Sequence, residues 1–217
     1  MKLILSLLML GLPLVVSAES TINCHCFQSR TFNHRDSAAA DPYFLATTQN
    51  SFISVIYNID KRELVKAKMS GTSGSHLWIL HDVAAHSQQP ASQVETIHSA
   101  SGSWAEVFKN LGLNTEDLGE KYWQLSSTPE YLADHIVDLK LIEYFTTTSA
   151  DLHHWHNKGL NRKELILSLL LDGDPLNLYN QVNSGMKTWG QLLYEQGLRN
   201  GGEISQKLKN LKPSSAD

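Results

Sequence analysis

Two stretches of this 217-residue chain repeat one pattern at a fixed spacing of 85 residues. Ser103-Trp104-Ala105-Glu106-Val107-Phe108 runs on to Gly112-Leu113, and Thr188-Trp189-Gly190-Gln191-Leu192-Leu193 runs on to Gly197-Leu198. Each reads hydroxyl, Trp, small residue, Glu or Gln, two apolar residues, then Gly-Leu. That order is a short capped helix. Ser103 and Thr188 supply N-cap oxygens, with Glu106 and Gln191 placed to reach back and complete a capping box. Trp104, Val107, Phe108 and Leu111 fall at i, i+3, i+4 and i+7 on one face, and Trp189, Leu192 and Leu193 do the same. Gly112 and Gly197 provide the left-handed residue that ends each helix.

The match extends upstream. Pro90 pairs with Pro175 at the same spacing. Farther back the spacing becomes 88, pairing Tyr43 with Tyr131, Leu64 with Leu152, Gly71 with Gly159 and Leu77 with Leu165. Asp60 and Glu63 match Thr148 and Asp151 as a further N-cap pattern, and Asp41-Pro42 and Thr128-Pro129 open the two copies as cap-plus-proline pairs. Recurrence of caps, prolines, glycines and tryptophans in one order predicts an internal duplication.

Each copy parses into five helices, near 42–57, 61–70, 76–87, 91–100 and 104–111, and near 129–147, 150–157, 162–171, 175–183 and 189–196. The third of each, through Leu77-Trp78-Ile79-Leu80 and Leu165-Ile166-Leu167, is apolar all round and therefore central. No alternating pattern persists, so the predicted class is all-α, with two tandem copies of a five-helix unit. The expected organisation is a signal peptide over 1–18, an extended Cys-x-Cys segment over 19–40, repeats over 41–113 and 128–198, a linker over 114–127, and a C-terminal helix and tail over 199–217. In that last segment Ile204, Leu208 and Leu211 form an apolar stripe.

Met1-Lys2, the apolar run Leu3 to Leu12, Pro13 and Val16-Ser17-Ala18 together have the layout of a secretory signal peptide, with cleavage expected after Ala18. No later stretch has the roughly 18 apolar residues a membrane span needs, and no Asn-x-Ser/Thr sequon is present. The predicted location is periplasmic or secreted. Eighteen Lys+Arg against 22 Asp+Glu give a net charge of -4, without a run of basic residues, which argues against a nucleic-acid partner. The residues after Leu113, Asn114-Thr115-Glu116-Asp117, offer no basic recognition helix.

The stretch from Gln93 through Ser103-Trp104-Ala105-Glu106-Val107 to Leu111-Gly112-Leu113 resembles a pattern of uncharacterised exported bacterial helical proteins, in which a Trp-x-Glu-Ile-type helix ends Leu-Gly-Leu. The second copy departs from it at Gly190, Gln191 and Gln196. The resemblance covers about 25 residues per copy, implies an exported helical protein, and carries no known activity.

Cys24-His25-Cys26 is the most unusual local feature and the candidate metal site, because thiolates and imidazole suit Zn or Cu(I). An oxidising compartment sets disulfide formation, redox exchange and bonds between chains beside that reading. A fourth ligand would have to come from elsewhere, such as His34. His153 and His156 stand at i, i+3 and could chelate together, but their matched positions in the first copy, Val65 and Lys68, lie beside Lys66, which suggests a solvated face. His76, His81 and His86 recur every five residues and spread around their helix rather than converge. His135 and Asp138 read as a surface pair. Gly71-Thr72-Ser73-Gly74-Ser75 is neither a phosphate loop nor a nucleophile elbow; it reads as an interhelical loop in which Ser75 caps the next helix.

No catalytic residue and no cofactor are expected. The sequence points to a non-enzymatic exported scaffold that binds a protein or a cell-envelope partner, with a periplasmic metal or thiol-redox role for Cys24, His25 and Cys26 as the alternative.

Overall fold

The computed structural model describes residues 27–211. The expected signal peptide and Cys24, His25 and Cys26 lie outside the described residues. Thirteen helices and no strand occur among them, so the chain is all-α. The segment ahead of the first helix is built of turns and bends, with one isolated bridge between Asn33 and Asp36.

Five helices come first: α1 (Asp41–Ile56), α2 (Lys61–Met69), α3 (Gly74–Ser87), α4 (Ala91–Ser101) and α5 (Trp104–Asn110). Two short helices, α6 (Thr115–Leu118) and α7 (Glu120–Leu125), occupy the stretch expected as a linker. Leu118 and Tyr122 are buried there, so the stretch belongs to the core. Then come α8 (Pro129–Phe145), α9 (Ser149–Asn157), α10 (Arg162–Leu170), α11 (Pro175–Asn183), α12 (Trp189–Glu195) and the tail helix α13 (Gly201–Leu211). Among the described residues no helix is long and apolar enough to cross a membrane.

The caps explain where helices start. Ser103 accepts from Glu106 N–H and Thr188 from Gln191 N–H. The reciprocal half of the expected capping boxes does not form, because Glu106 pairs with Lys109 and Gln191 with Glu195 instead. Full capping boxes close at Asn114–Asp117, Thr148–Asp151 and Asn161–Glu164. Ser73, not Ser75, caps α3, accepting from His76 N–H. Asp41 does not cap its own helix either. Its carboxylate takes the backbone N–H of Trp189 (3.1 Å) and Gly190 (2.7 Å) at the start of α12, while Thr188 donates to Ser37 O at 2.9 Å.

The packing is crossed. α1 lies against α10 and α13, and α8 lies against α3. The first helix of each half therefore covers the most apolar helix of the other half, and a single core cluster runs through both. Its middle is aromatic: Phe52 of α1 meets Trp78 of α3 at 5.9 Å, Tyr144 of α8 at 5.2 Å and stacks on Phe145 at 5.5 Å. Trp104 and Trp189 are both 2% exposed, as their helical spacing predicts. α13 is held by Ile204 and Leu208, both fully buried, and by the Tyr144 hydroxyl donating to Leu208 O.

One charged residue breaks the apolar surface of α3. Asp82 is fully buried. Tyr57 donates to its Oδ1 at 2.9 Å, Tyr122 to its Oδ2, Lys140 Nζ stands 3.4 Å from Oδ1 and His86 Nε2 3.6 Å from Oδ2. A buried carboxylate is tolerable only when its lone pairs are filled in this way. Burial, then the charge and hydrogen bonds of Asp82, hold both phenols well above their ordinary range.

Candidate functional site

Helix α2 buries only Leu64. Its other faces reach solvent or a cleft of about 1050 Å³ between α1, α2 and α13. Arg62, Val65, Lys66 and Met69 of α2 stand at i, i+3, i+4 and i+7, so one stripe of the helix gives the cleft two apolar and two cationic side chains. Tyr43 of α1 lines the opposite wall, with the Phe27 ring edge-on to it at 5.7 Å. Met69 is 63% exposed, a large apolar side chain left uncovered at the mouth. The charged lining residues are Arg30, Lys61, Arg62 and Lys66 against the single carboxylate Asp60, although the whole chain is acidic. The Asp60 side chain is turned to the start of α2, accepting from Arg62 N–H at 2.9 Å.

Lys61 forms the polar floor. Its ammonium donates to Thr47 Oγ1 (2.6 Å), Ser51 Oγ (2.7 Å) and Gly201 O (3.5 Å), all neutral oxygens. Burial lowers it from 10.5 to about 8. Gly201 is required by close approach: a Cβ there would stand 2.8 Å from Thr47 Oγ1, 3.0 Å from Tyr43 OH and 3.1 Å from Lys61 Nζ. Ser51 and Ser205 share a hydrogen bond of 2.8 Å that ties the floor to α13.

A depressed lysine beside a hydroxyl is the arrangement of a general base next to a nucleophile. Here two hydroxyls stand beside it, Thr47 Oγ1 and Ser51 Oγ; both residues are buried, and Ser51 already donates to Thr47 O at 2.8 Å. The floor offers a positive charge and hydrogen-bond donors in a half-apolar cleft, which is the chemistry of holding an anion.

A second polar cluster ties α8, α9 and α10 together. Arg162 grips Asp138 with two parallel bonds, Nε–Oδ1 at 2.9 Å and Nη2–Oδ2 at 2.7 Å, and pairs with Asp134 at 2.9 Å. His156 joins it, with Nε2 at 3.4 Å from Asp138 Oδ1 and Nδ1 donating to Leu160 O at 2.9 Å. His156 is thus a half-buried partner of α8 and not the surface residue expected, while His153 and His154 are exposed. His135 does not pair with Asp138; its ring meets Tyr122 edge-on at 5.5 Å. Lys68, expected on a solvated face, donates to Asn50 Oδ1 at 2.6 Å and is lowered to about 8 by burial and by the charge of Lys163. His34 is exposed and packs on Phe32 and Tyr194.

Among the described residues, one group can gather a metal ion: His76, Glu95 and His98, whose ligand atoms lie within 4.8 Å of one another. Sequence reasoning missed both this group and Lys61. His76 sits on α3 and Glu95 and His98 on α4, so the i, i+3 spacing of Glu95 and His98 does not reach the third member.

No protein-family model matches the chain, and no curated protein or solved structure matches it.

Proposed function

We propose that this is a non-enzymatic, exported binding protein whose ligand is a single-chain anionic amphiphile, carrying a carboxylate head and an apolar tail. The envelope partner expected from the sequence is, on this reading, an acidic lipid-like molecule. The observation that carries it is Lys61: a desolvated ammonium whose hydrogen-bond partners are all neutral, at the floor of the cleft. A cation so placed gains most from a ligand that brings the missing negative charge. Val65, Met69 and the Tyr43 ring supply apolar contact for the tail, and Arg62 and Lys66 set the sign of the potential at the mouth. The cleft volume is at the upper end for small-ligand sites, about 300–1,000 Å³.

The same reading takes the chain as an internal duplication. In support, α2 and α9 both have nine residues, α5 and α12 both have seven, and the first helix of each half packs on the third helix of the other. At the 88-residue spacing Lys61 faces Ser149 and Ser51 faces Leu139. Of the two copies only the first supplies the anion floor, which α13 completes with Gly201 and Ser205, the kind of divergence that separates a binding copy from a supporting one.

Calorimetry with dodecanoate tests the proposal, with dodecyltrimethylammonium as the charge-reversed control. Dodecanoate is expected to bind one to one, and K61M to weaken it by about tenfold or more, the loss of about 1.4 kcal/mol or more. Equal binding of the cationic amphiphile, or unchanged dodecanoate binding in K61M, would overturn it.

A further inference from the structure

We infer that His76, Glu95 and His98 form a binding site for one divalent zinc-type ion, separate from the amphiphile cleft. His76 Nε2 lies 2.5 Å from Glu95 Oε2, and the ligand atoms of all three residues lie within 4.8 Å of one another. Around a tetrahedral Zn²⁺, with bonds near 2.0–2.2 Å, ligand atoms stand roughly 3.4 Å apart. One observed separation is shorter than that value and the others lie within 4.8 Å, so the three ligand atoms are close enough to share one ion. Two imidazoles and one carboxylate are a donor set for zinc, and three protein ligands leave a fourth position for water or for a group brought from outside.

The surroundings hold the ligands in place. Glu95 and His98 are i, i+3 on α4, and therefore share a face. His98 lies on the Trp104 ring at 4.3 Å with an interplanar angle of 34°, and the His76 ring is 5.2 Å from the same indole. Trp104 is itself locked in the core at 2% exposure. The second carboxylate oxygen of Glu95 receives Ser99 Oγ at 3.4 Å. Such outer contacts orient first ligands and raise metal affinity. All three residues are half-buried, so an ion could enter without unfolding the helix pair. The matched positions in the second half, Glu164, Asn180 and Asn183, carry no imidazole, so one ion per chain is expected.

The test uses the full chain carrying C24S and C26S, so that thiolates cannot contribute. Titration with Co²⁺, read by visible absorption, is expected to give one equivalent with the intense d–d bands of a four- or five-coordinate site, displaced by Zn²⁺. Cu²⁺ is expected to quench Trp104 emission through the adjacent ring pair. E95Q and H98Q should each lower affinity by about a hundredfold or more, while the exposed H153A control leaves it unchanged. Circular dichroism melts establish that each variant is folded, and E95Q, nearly isosteric, keeps the test informative if H98Q is not. Co²⁺ binding that persists in folded E95Q and H98Q overturns the assignment. So does binding that occurs only with Cys24 and Cys26 present, or none in either background.

Discussion

The Asp41 carboxylate accepts the backbone N–H of Gly190 at 2.7 Å across 149 residues of chain. With the companion bond from Trp189, the first helix of the molecule caps the twelfth. Helix N-termini carry unpaired N–H groups and a partial positive charge, so a carboxylate there satisfies both. Gly190 is suited to the site, since a Cβ would come within 3.2 Å of the Phe44 ring and 3.3 Å of Asp41 Oδ1.

From that contact, D41A is expected to cost about 0.5–2 kcal/mol, the range for removing a side-chain acceptor from a helix N-terminus. In a domain of this size that is roughly 2–4 °C of melting temperature per kcal/mol. D41N should recover only part of the loss, because its amide turns a donor toward one of the two N–H groups. Thermal melts of the two variants check the order D41A below D41N below wild type; D41N matching wild type would show that the charge and second acceptor contribute nothing.

Asp82 is the more severe site. D82A leaves the Tyr57 and Tyr122 hydroxyls without their acceptor, while Lys140 keeps Glu143 at 3.2 Å, and each orphaned buried donor costs about 1–3 kcal/mol. Y122F removes one donor from a carboxylate that keeps Tyr57 and Lys140, and should cost about 1–3 kcal/mol. Urea denaturation gives both numbers. Because Tyr57 and Tyr122 are held well above their ordinary ionisation range, alkaline titration of the folded protein should leave both phenols protonated until unfolding.

Most of the helices were readable because their starts are written locally, whereas α6 and α7 lie in the stretch expected as a linker. Ser103, Thr148 and Thr188 carry their own capping oxygens, and Trp104 and Trp189 fall on the apolar face that becomes core. Tertiary partners were not readable in this way. Asp41 sits in a cap-plus-proline pattern that any helix start could use, yet its carboxylate serves α12, because the crossed packing brings that terminus within reach. Asp82 did leave a signal: one acid inside the run Leu77-Trp78-Ile79-Leu80 to Val83 has to find partners. Lys61 left none, since a lysine at the first position of a helix is ordinary until α13 closes over it. His98 was half legible: it stands i, i+3 from Glu95 on α4, but the companion His76 is on another helix.

The imidazole of His156 gives the molecule an acid-side dependence. Its hydrogen bond to Asp138 raises it above 6.5 in the folded state, against the lowering effect of burial, with Leu160 O adding to the rise. A raised histidine contributes stability that is fully present below its unfolded value and is lost as pH climbs through the folded value. H156N should therefore be least stable relative to wild type near pH 5.5, with the difference fading toward pH 8. Asp138 has the opposite sense: burial alone would raise it, but His156 and Arg162 bring it below 3.8, so its contribution is lost only in stronger acid. The pair is partly open to solvent, so the His156 effect should be about 1 kcal/mol or less. A pH series of denaturant melts on the two proteins checks it, and a gap that widens above pH 7 would contradict the sign.

Lys61 predicts two opposite trends from one residue. Burial lowers it from 10.5 to about 8, so between those values the unfolded chain holds a proton that the folded chain has released. Stability of the empty protein should therefore climb as pH rises through that window. K61M removes the buried charge while Ser51 and Ser205 keep each other as partners. The variant should be more stable than wild type at pH 7, with the gap closing toward pH 10. Part of the wild-type slope remains in K61M, because Lys68 is lowered to a similar value. Dodecanoate binding should run the other way: it needs the ammonium, so affinity in wild type falls as pH rises through about 8. Denaturant melts at pH 7 and pH 10, beside calorimetry at the same two values, separate the effects. A K61M protein less stable than wild type at pH 7 would mean that the hydroxyl contacts outweigh the buried charge, and would remove the reason this floor has to recruit an anion.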